Sequence, residues 1–279
     1  MKKLFIMLLT VCMIFGLFTG IAAAEEGQSQ DWQELYQNAN NQWVEHDGDW
    51  YYFVSGSAVT HPYYEIDGIG YCFDSEGRMM ADCWGYAPRA DKWKYCGSDG
   101  ACYKNRWFYY NDNWYYFDDS SSMVTYPYYE IDGVDYSFNT DGTMRANCWF
   151  YFFDVWRYCG SDGALYKERW LEYNDNWYYF DELCNMLTIA TIYTNDVWYA
   201  VGEDGALITE EGWYYLNDIW GSEWCYIYAD GTCASGWHYE NGIWYYLADD
   251  GRMVSDALIW DGDFTEEGLV NGDFYYIEA

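Results

Sequence analysis

Aromatic and polar residues alternate along this chain in short runs that stop at glycine turns, and the runs restart about every 21 residues. The clearest copies read Trp107-Phe-Tyr-Tyr-Asn-Asp-Asn-Trp114-Tyr-Tyr-Phe, Trp170-Leu-Glu-Tyr-Asn-Asp-Asn-Trp177-Tyr-Tyr-Phe and Trp237-His-Tyr-Glu-Asn-Gly-Ile-Trp244-Tyr-Tyr-Leu. Two-residue turn signals at Asp67-Gly68, Asp132-Gly133, Asn241-Gly242 and Asn271-Gly272 are flanked by Tyr-, Trp- and Ile-rich runs, which predicts hairpins. A second turn follows each hairpin, as at Glu76-Gly77, Asp141-Gly142, Asp162-Gly163 and Asp204-Gly205. An apolar residue comes two positions later, as with Met79, Met144, Leu165, Leu207 and Met253. No stretch carries a convincing helical period, so the chain reads as all-β.

Aligned by both turns, the units start at Trp43, Tyr63, Trp84, Trp107, Tyr128, Trp149, Trp170, Thr191, Trp213, Trp237 and Trp260, at intervals of 20 to 24 residues. Self-similarity at a short fixed period is the signature of a solenoid or array. A lone hairpin is marginal in water because one face has nothing to cover it. Stacked hairpins bury a shared stripe, and the Met and Leu after each glycine turn are the natural filling. The expectation is a solenoid of about eleven stacked β-hairpins of roughly 21 residues each, spanning residues 42–279.

The N-terminus changes the compartment. Lys2 and Lys3 precede an apolar run from Leu4 to Gly20, and Ala22-Ala23-Ala24 fits a small-residue cleavage site. Residues 1–24 therefore read as a secretory signal peptide, with no membrane insertion after cleavage. Residues 25–41 read as a polar leader, or a cap on the first hairpin. The mature chain is expected to be secreted, with the array as its whole.

Removing the signal leaves 11 Lys and Arg against 46 Asp and Glu, a net charge of −35. Such a chain repels nucleic acid and anionic lipid, which drop out as partners. With 24% aromatic residues the acidic groups are not a mark of disorder. They solvate an aromatic-rich scaffold and set up a potential that draws in cations.

Gly-Trp237-His-Tyr-Glu-Asn-Gly-Ile-Trp244-Tyr-Tyr-Leu-Ala-Asp-Asp-Gly-Arg-Met253 resembles a cell-wall-binding repeat of the choline-binding type. Related repeats occur in glucan-binding and toxin receptor-binding modules of Gram-positive bacteria. The resemblance covers roughly Gln42 to the C-terminus and is strong in about half the units. It implies near three hairpins per superhelical turn, with choline held between aromatics of adjacent hairpins. The implied carriers are the Trp opening each strand and a Tyr two residues beyond the second Trp, partly from the next unit. On this chain they are Trp84, Trp93 and Tyr95; Trp107, Trp114 and Tyr116; Trp149, Trp156 and Tyr158; Trp170, Trp177 and Tyr179; Trp213 and Trp224; and Trp237, Trp244 and Tyr246.

Every third unit departs from the pattern. The second has Tyr63 and Gly70 in the tryptophan places, the fifth Tyr128 and Asp135, the eighth Thr191 and Trp198. A larger repeat of 63 to 65 residues results, visible in Pro62-Tyr-Tyr-Glu-Ile-Asp-Gly against Pro127-Tyr-Tyr-Glu-Ile-Asp-Gly. Intact sites are therefore expected between the third and fourth, sixth and seventh, and ninth and tenth units, about three in total.

A quaternary ammonium has no N–H to donate, and aromatic faces recognise it through their quadrupole, about 0.5–2 kcal/mol per ring. Pyranose stacking uses similar rings, so glycan binding stays open beside choline, as does a structural surface role without a small ligand. Catalysis finds no foothold, because the carboxylates sit at turns where Asp is wanted for the backbone. No cofactor motif appears. Cys83 with Cys96, and Cys148 with Cys159, fall at equivalent hairpin bases, and a secreted context predicts two disulfides there. A metal site is not expected: no short Cys spacing recurs as a pair, and His46, His61 and His238 are scattered.

Overall fold

The computed structural model describes residues 32–218, 221–255, 257–265 and 268–277. The signal-peptide reading lies outside them. The fold is nearly all-β: one short 3-10 helix, Trp32–Tyr36, precedes a succession of hairpins. Each hairpin pairs two sequence-adjacent strands, and the described residues hold eleven of them as separate small sheets. Among the described residues no helix is long and apolar enough to cross a membrane.

The fourth hairpin, Arg106–Tyr110 with Asn113–Phe117, shows how sequence sets the local shape. Asn111 and Asp112 both take positive φ, 47° and 60°, which is the type I′ turn that matches strand twist. The same pair recurs at Asn174/Asp175 and Asn195/Asp196. In register, Trp107 lies opposite Tyr116 and Tyr109 opposite Trp114. Strand alternation then puts these four rings on one face and Phe108, Tyr110, Tyr115 and Phe117 on the other.

Successive hairpins are bolted together by backbone. The residue two positions past the positive-φ residue of the second turn, a glycine or, before Met123 and Met186, Ser121 or Cys184, donates its amide to the preceding hairpin, at the place of that hairpin's second tryptophan. Met79 to Trp50, Met123 to Trp93, Met144 to Trp114, Met186 to Trp156 and Leu207 to Trp177 are 2.7 to 2.9 Å. The ladder does not skip the degraded units: Cys102 donates to Gly70 and Leu165 to Asp135, each at 2.8 Å. A stripe of fully buried phenylalanines, Phe53, Phe73, Phe117, Phe138 and Phe180, runs along it. Ahead of the first hairpin, Tyr36 and Ala39 pack against Phe53 and Val44.

The acidic surplus has a structural use. Asp74, Asp118 and Asp181 each accept two backbone amides across the second turn, and Asp99, Asp141, Asp162, Asp204 and Asp230 accept one. Such Asx turns fix the loop that carries the docking residue.

The two expected cysteine pairs are cross-strand partners, Cys83 opposite Cys96 and Cys148 opposite Cys159. The covalent bond is absent from both, and all nine described cysteines are free thiols. Cys83 stays half-exposed, whereas Cys96 turns inward and brings its sulfur to 3.4 Å from Cys102.

Candidate functional site

The face of one hairpin that carries its two tryptophans meets the opposite face of the next hairpin. At the junction of the fourth hairpin and the fifth (Tyr129–Ile131 with Val134–Tyr136), three rings form an open box. Trp107 and Trp114 stand 6.2 Å apart at 89°. Tyr136, from the fifth hairpin, closes a third side 4.9 Å from Trp107. Met144 and Asp162 complete the lining of a cavity of about 320 Å³. Met144 is placed there by its backbone bond to Trp114.

The right-angled tryptophan pair recurs at Trp43/Trp50, Trp149/Trp156 and Trp237/Trp244, with separations of 6.5, 6.4 and 6.3 Å. In each pair the second ring is exposed, 44% for Trp114, and the first is half-buried. The tyrosine of the following hairpin meets the first tryptophan at seven junctions among the described residues. These contacts are Trp43–Tyr71, Trp84–Tyr115, Trp107–Tyr136, Trp149–Tyr178, Trp170–Tyr199, Trp213–Tyr245 and Trp237–Tyr275, with centroids 4.8 to 5.5 Å apart.

The sequence-predicted residues divide accordingly. The named first tryptophans, Trp84, Trp107, Trp149, Trp170, Trp213 and Trp237, all meet the next hairpin's tyrosine, and the second tryptophans Trp114, Trp156 and Trp244 complete right-angled pairs. Tyr95, Tyr116 and Tyr158 are instead buried beneath their own hairpin's first tryptophan, and Tyr179 and Tyr246 are half-buried in the same place. The third wall belongs to the residue directly after the second tryptophan place. Sequence alone holds the signal, since Trp-Tyr-Tyr supplies two consecutive tyrosines of opposite facing. The first reaches back to the previous box and the second floors its own.

This parity also decides which junctions carry a reaching tyrosine. The second, fifth and eighth hairpins lack one or both tryptophans but keep the reaching tyrosine as Tyr71, Tyr136 and Tyr199. They therefore complete the box of the hairpin before them. The junctions without a box are those that follow them, where the reaching position holds Lys94, Arg157 or Cys225. At the first of these the Lys94 ammonium lies 4.2 Å over the Tyr63 ring and donates to the Ser120 carbonyl at 2.6 Å. Gly70 stands in the tryptophan place, and a Cβ there would come within 2.5 Å of Tyr63.

Electrostatics favour a cation at the boxes. Burial and then the charge of Asp162 raise the Tyr136 hydroxyl above its ordinary pKa. Tyr71, Tyr115 and Tyr178 are raised in the same way, by burial and then by Asp99, Asp141 and Asp204. In each case the carboxylate that closes a turn two hairpins on also stands beside the box.

Four segments, residues 41–55, 105–120, 168–182 and 235–253, match the family of cell wall binding repeats of the choline-binding type. They coincide with the first, fourth, seventh and tenth hairpins, one in every three. Among solved structures, the modular autolysin LytC of Streptococcus pneumoniae is similar at 23% identity over 78% of this chain, with a TM-score of 0.53. The same autolysin in complex with a synthetic peptidoglycan ligand gives 0.52, again at 23% identity. In both the match covers 49% of the autolysin, so this chain corresponds to about half its length. The choline-binding domain of CbpL from Streptococcus pneumoniae is 22% identical over 78% of this chain and 98% of its own, with a TM-score of 0.47. No curated protein matches the chain.

Proposed function

We propose, for a chain that carries cell wall binding repeats of the choline-binding type, that it is a secreted, non-catalytic protein holding the choline of cell-wall polymer between adjacent hairpins. The observation that carries this reading is the box of Trp107, Trp114 and Tyr136, open to solvent and rimmed by Asp162. A trimethylammonium group is wider than a bare ion and offers no hydrogen bond. Three steeply inclined rings, Trp114 at 89° and Tyr136 at 70° to Trp107, contact it on three sides, and a nearby carboxylate adds long-range attraction without needing a donor. Three such contacts amount to a few kcal/mol, which places a single site in the millimolar to high-micromolar range. Seven junctions that pair a tryptophan with the next hairpin's tyrosine, meeting a polymer with many cholines, would raise the effective affinity by avidity.

The secreted setting follows from the signal-peptide reading of residues 1–24, and teichoic-acid choline is then the partner on the cell surface. In that oxidising compartment Cys148 and Cys159, cross-strand partners in register, would join in a disulfide.

A second reading has its own observation. Tyr109 packs on the outer side of Trp114 at 5.0 Å, is 53% exposed, and donates its hydroxyl to Asp112 at 3.3 Å. Tyr151/Trp156 and Tyr193/Trp198 repeat this pair, each tyrosine donating to the tip aspartate. Pinned, exposed rings suit the apolar face of a pyranose, so glycan is the alternative ligand.

Tryptophan fluorescence titrated with choline, with glucose oligomers in parallel, separates the two. Saturable quenching by choline that weakens in Trp114→Ala and Tyr136→Ala supports the cation box. A response to glucose oligomers alone moves the protein to the glycan class, and silence toward both leaves a structural role.

A further inference from the structure

The second and third hairpins bring Cys72 together with two cysteines, Cys96 and Cys102, that lie 24 and 30 residues further along the chain. Cys72 follows the second strand of one, Cys96 ends the second strand of the other, and Cys102 follows the next glycine turn. Their sulfurs lie within 4.8 Å of one another, with Cys96 to Cys102 at 3.4 Å and Cys72 to Cys102 at 3.7 Å. Cys72 and Cys96 are fully buried and Cys102 is 7% exposed. The short-spacing argument against a metal does not reach this set, because the junction ladder, Cys102 amide to Gly70 carbonyl, assembles it from two hairpins.

The separations discriminate between two fates of clustered thiols. A disulfide requires sulfurs about 2.05 Å apart. Sulfurs bound at about 2.3 Å to one ion stand roughly 3.8–4.0 Å from each other. The two shorter separations, both to Cys102, need an adjustment of a few tenths of an ångström for the ion, against well over one for the bond. Cys83, opposite Cys96 in register, is the nearest further thiol on the same hairpin.

The rest of the junction is fitted to the sulfurs. Gly85 leaves room for Cys72: a Cβ at that position would come within 2.6 Å of its sulfur. Lys94, only 2% exposed, supplies a buried positive charge beside the cluster and is held by Ser120 and Ser122. The chain contains its own control, since the 63- to 65-residue repeat supplies a second copy of this junction. There Cys159 keeps the place of Cys96, but Ser137 replaces Cys72, Leu165 replaces Cys102 and Phe150 replaces Gly85. Phe150, Cys159 and Leu165 pack as an apolar cluster. The sulfur at Cys72, the sulfur at Cys102 and the glycine that makes space have changed as a set.

We propose that Cys72, Cys96 and Cys102 form a buried thiolate site for a thiophilic d10 metal ion, zinc or copper(I), at the junction of the second and third hairpins. Soft thiolate sets select these ions over hard cations. The ion would staple a junction that has no ligand box, making it a structural site separate from the aromatic ones.

The full chain, purified reduced and anaerobically, is to be titrated with Co2+ as a visible probe and then with Zn2+ and, separately, Cu+. The expected result is thiolate-to-cobalt absorption saturating at one ion per chain and displaced by zinc or copper(I); which displaces at lower free concentration identifies the ion. Cys72→Ser with Cys102→Leu, which copies the second junction, should abolish the absorption while the choline response is retained. A single Cys148→Ala should leave the cobalt band unchanged. The proposal is overturned by a reduced, folded chain that gives no thiolate–cobalt band, or by a band that survives the double substitution. A Cys96–Cys102 or Cys72–Cys102 disulfide that forms in preference to metal uptake when zinc is present would overturn it equally.

Discussion

The junction after the fourth hairpin and the junction after the second share one backbone and differ in what fills it. In both, the residue past the glycine turn donates its amide to the preceding strand at 2.8 Å, Met144 to Trp114 in one and Cys102 to Gly70 in the other. In the first, Trp107, Trp114 and Tyr136 leave a box open to solvent. In the second, Tyr63 folds over Gly70 and the protein's own Lys94 occupies the ring face. The scaffold is thus independent of the site: the backbone ladder runs through both junctions, over buried residues such as Phe138 in one and Cys96 in the other, and the side chains at three positions decide whether an open box remains. A chain built this way can lose a site at one junction in three without losing the solenoid.

The comparison can be broken most forcefully at Lys94. Lys94→Ala leaves the Ser120 carbonyl without its side-chain donor, removes one of two donors to the Ser122 hydroxyl and opens a void against Tyr63, so thermal unfolding should show a loss of about 1–3 kcal/mol. The choline count should not change, since no box lies there.

Next in size is the loss of a wall. Trp114→Ala should remove the choline site at its junction, a change of about 1–2 kcal/mol at that site. Tyr63→Ala, at the closed junction, should remove none. Equal effects of the two on bound choline would erase the distinction between the junctions.

A smaller effect belongs to the rim. Asp162→Asn keeps the acceptor for the Ala164 amide and so keeps the turn, but removes the charge beside Tyr136. Choline should weaken there by about 2- to 5-fold, corresponding to an exposed charge contact of up to about 1 kcal/mol, and the difference from wild type should shrink in high salt.

The smallest effect is on acid stability. The Thr143 hydroxyl and then the Thr143 amide hold the Asp141 carboxyl below its ordinary pKa. A group depressed in the folded state contributes stability that is present above its unfolded pKa, about 3.9. That contribution is lost as pH falls through the lower native value. Thermal melts should therefore be flat in this contribution above about pH 5 and fall below about pH 4, and Asp141→Asn should flatten part of the fall.

The hairpins and their order were legible in the sequence because two turn signals per unit and a period-2 aromatic pattern are local properties. Asp67-Gly68 and Asp132-Gly133 turn where they were expected to, and Cys83/Cys96 and Cys148/Cys159 stand opposite each other as counted. The third wall of the box was not legible in the same way. Choosing Tyr115 over Tyr116 requires knowing that the tryptophan face of one hairpin meets the opposite face of the next, which is a property of the stack. The expectation of about three intact junctions counts tryptophans within units, whereas the box at Trp107 takes two rings from one unit and one from its successor, and the two counts make different predictions for bound choline. Cys72 escaped for the same reason: its partners lie 24 and 30 residues on, across a junction. Lys94, 2% exposed against Tyr63, is likewise a property of the stack.

The central claim is that a ligand box forms wherever a tryptophan pair precedes a hairpin with a reaching tyrosine. Equilibrium dialysis of radiolabelled choline against the full chain, carried to saturation, tests it most directly. The account predicts seven cholines per chain, falling to six in Tyr136→Ala. A plateau near three, or a count that Tyr136→Ala leaves unchanged, would contradict it.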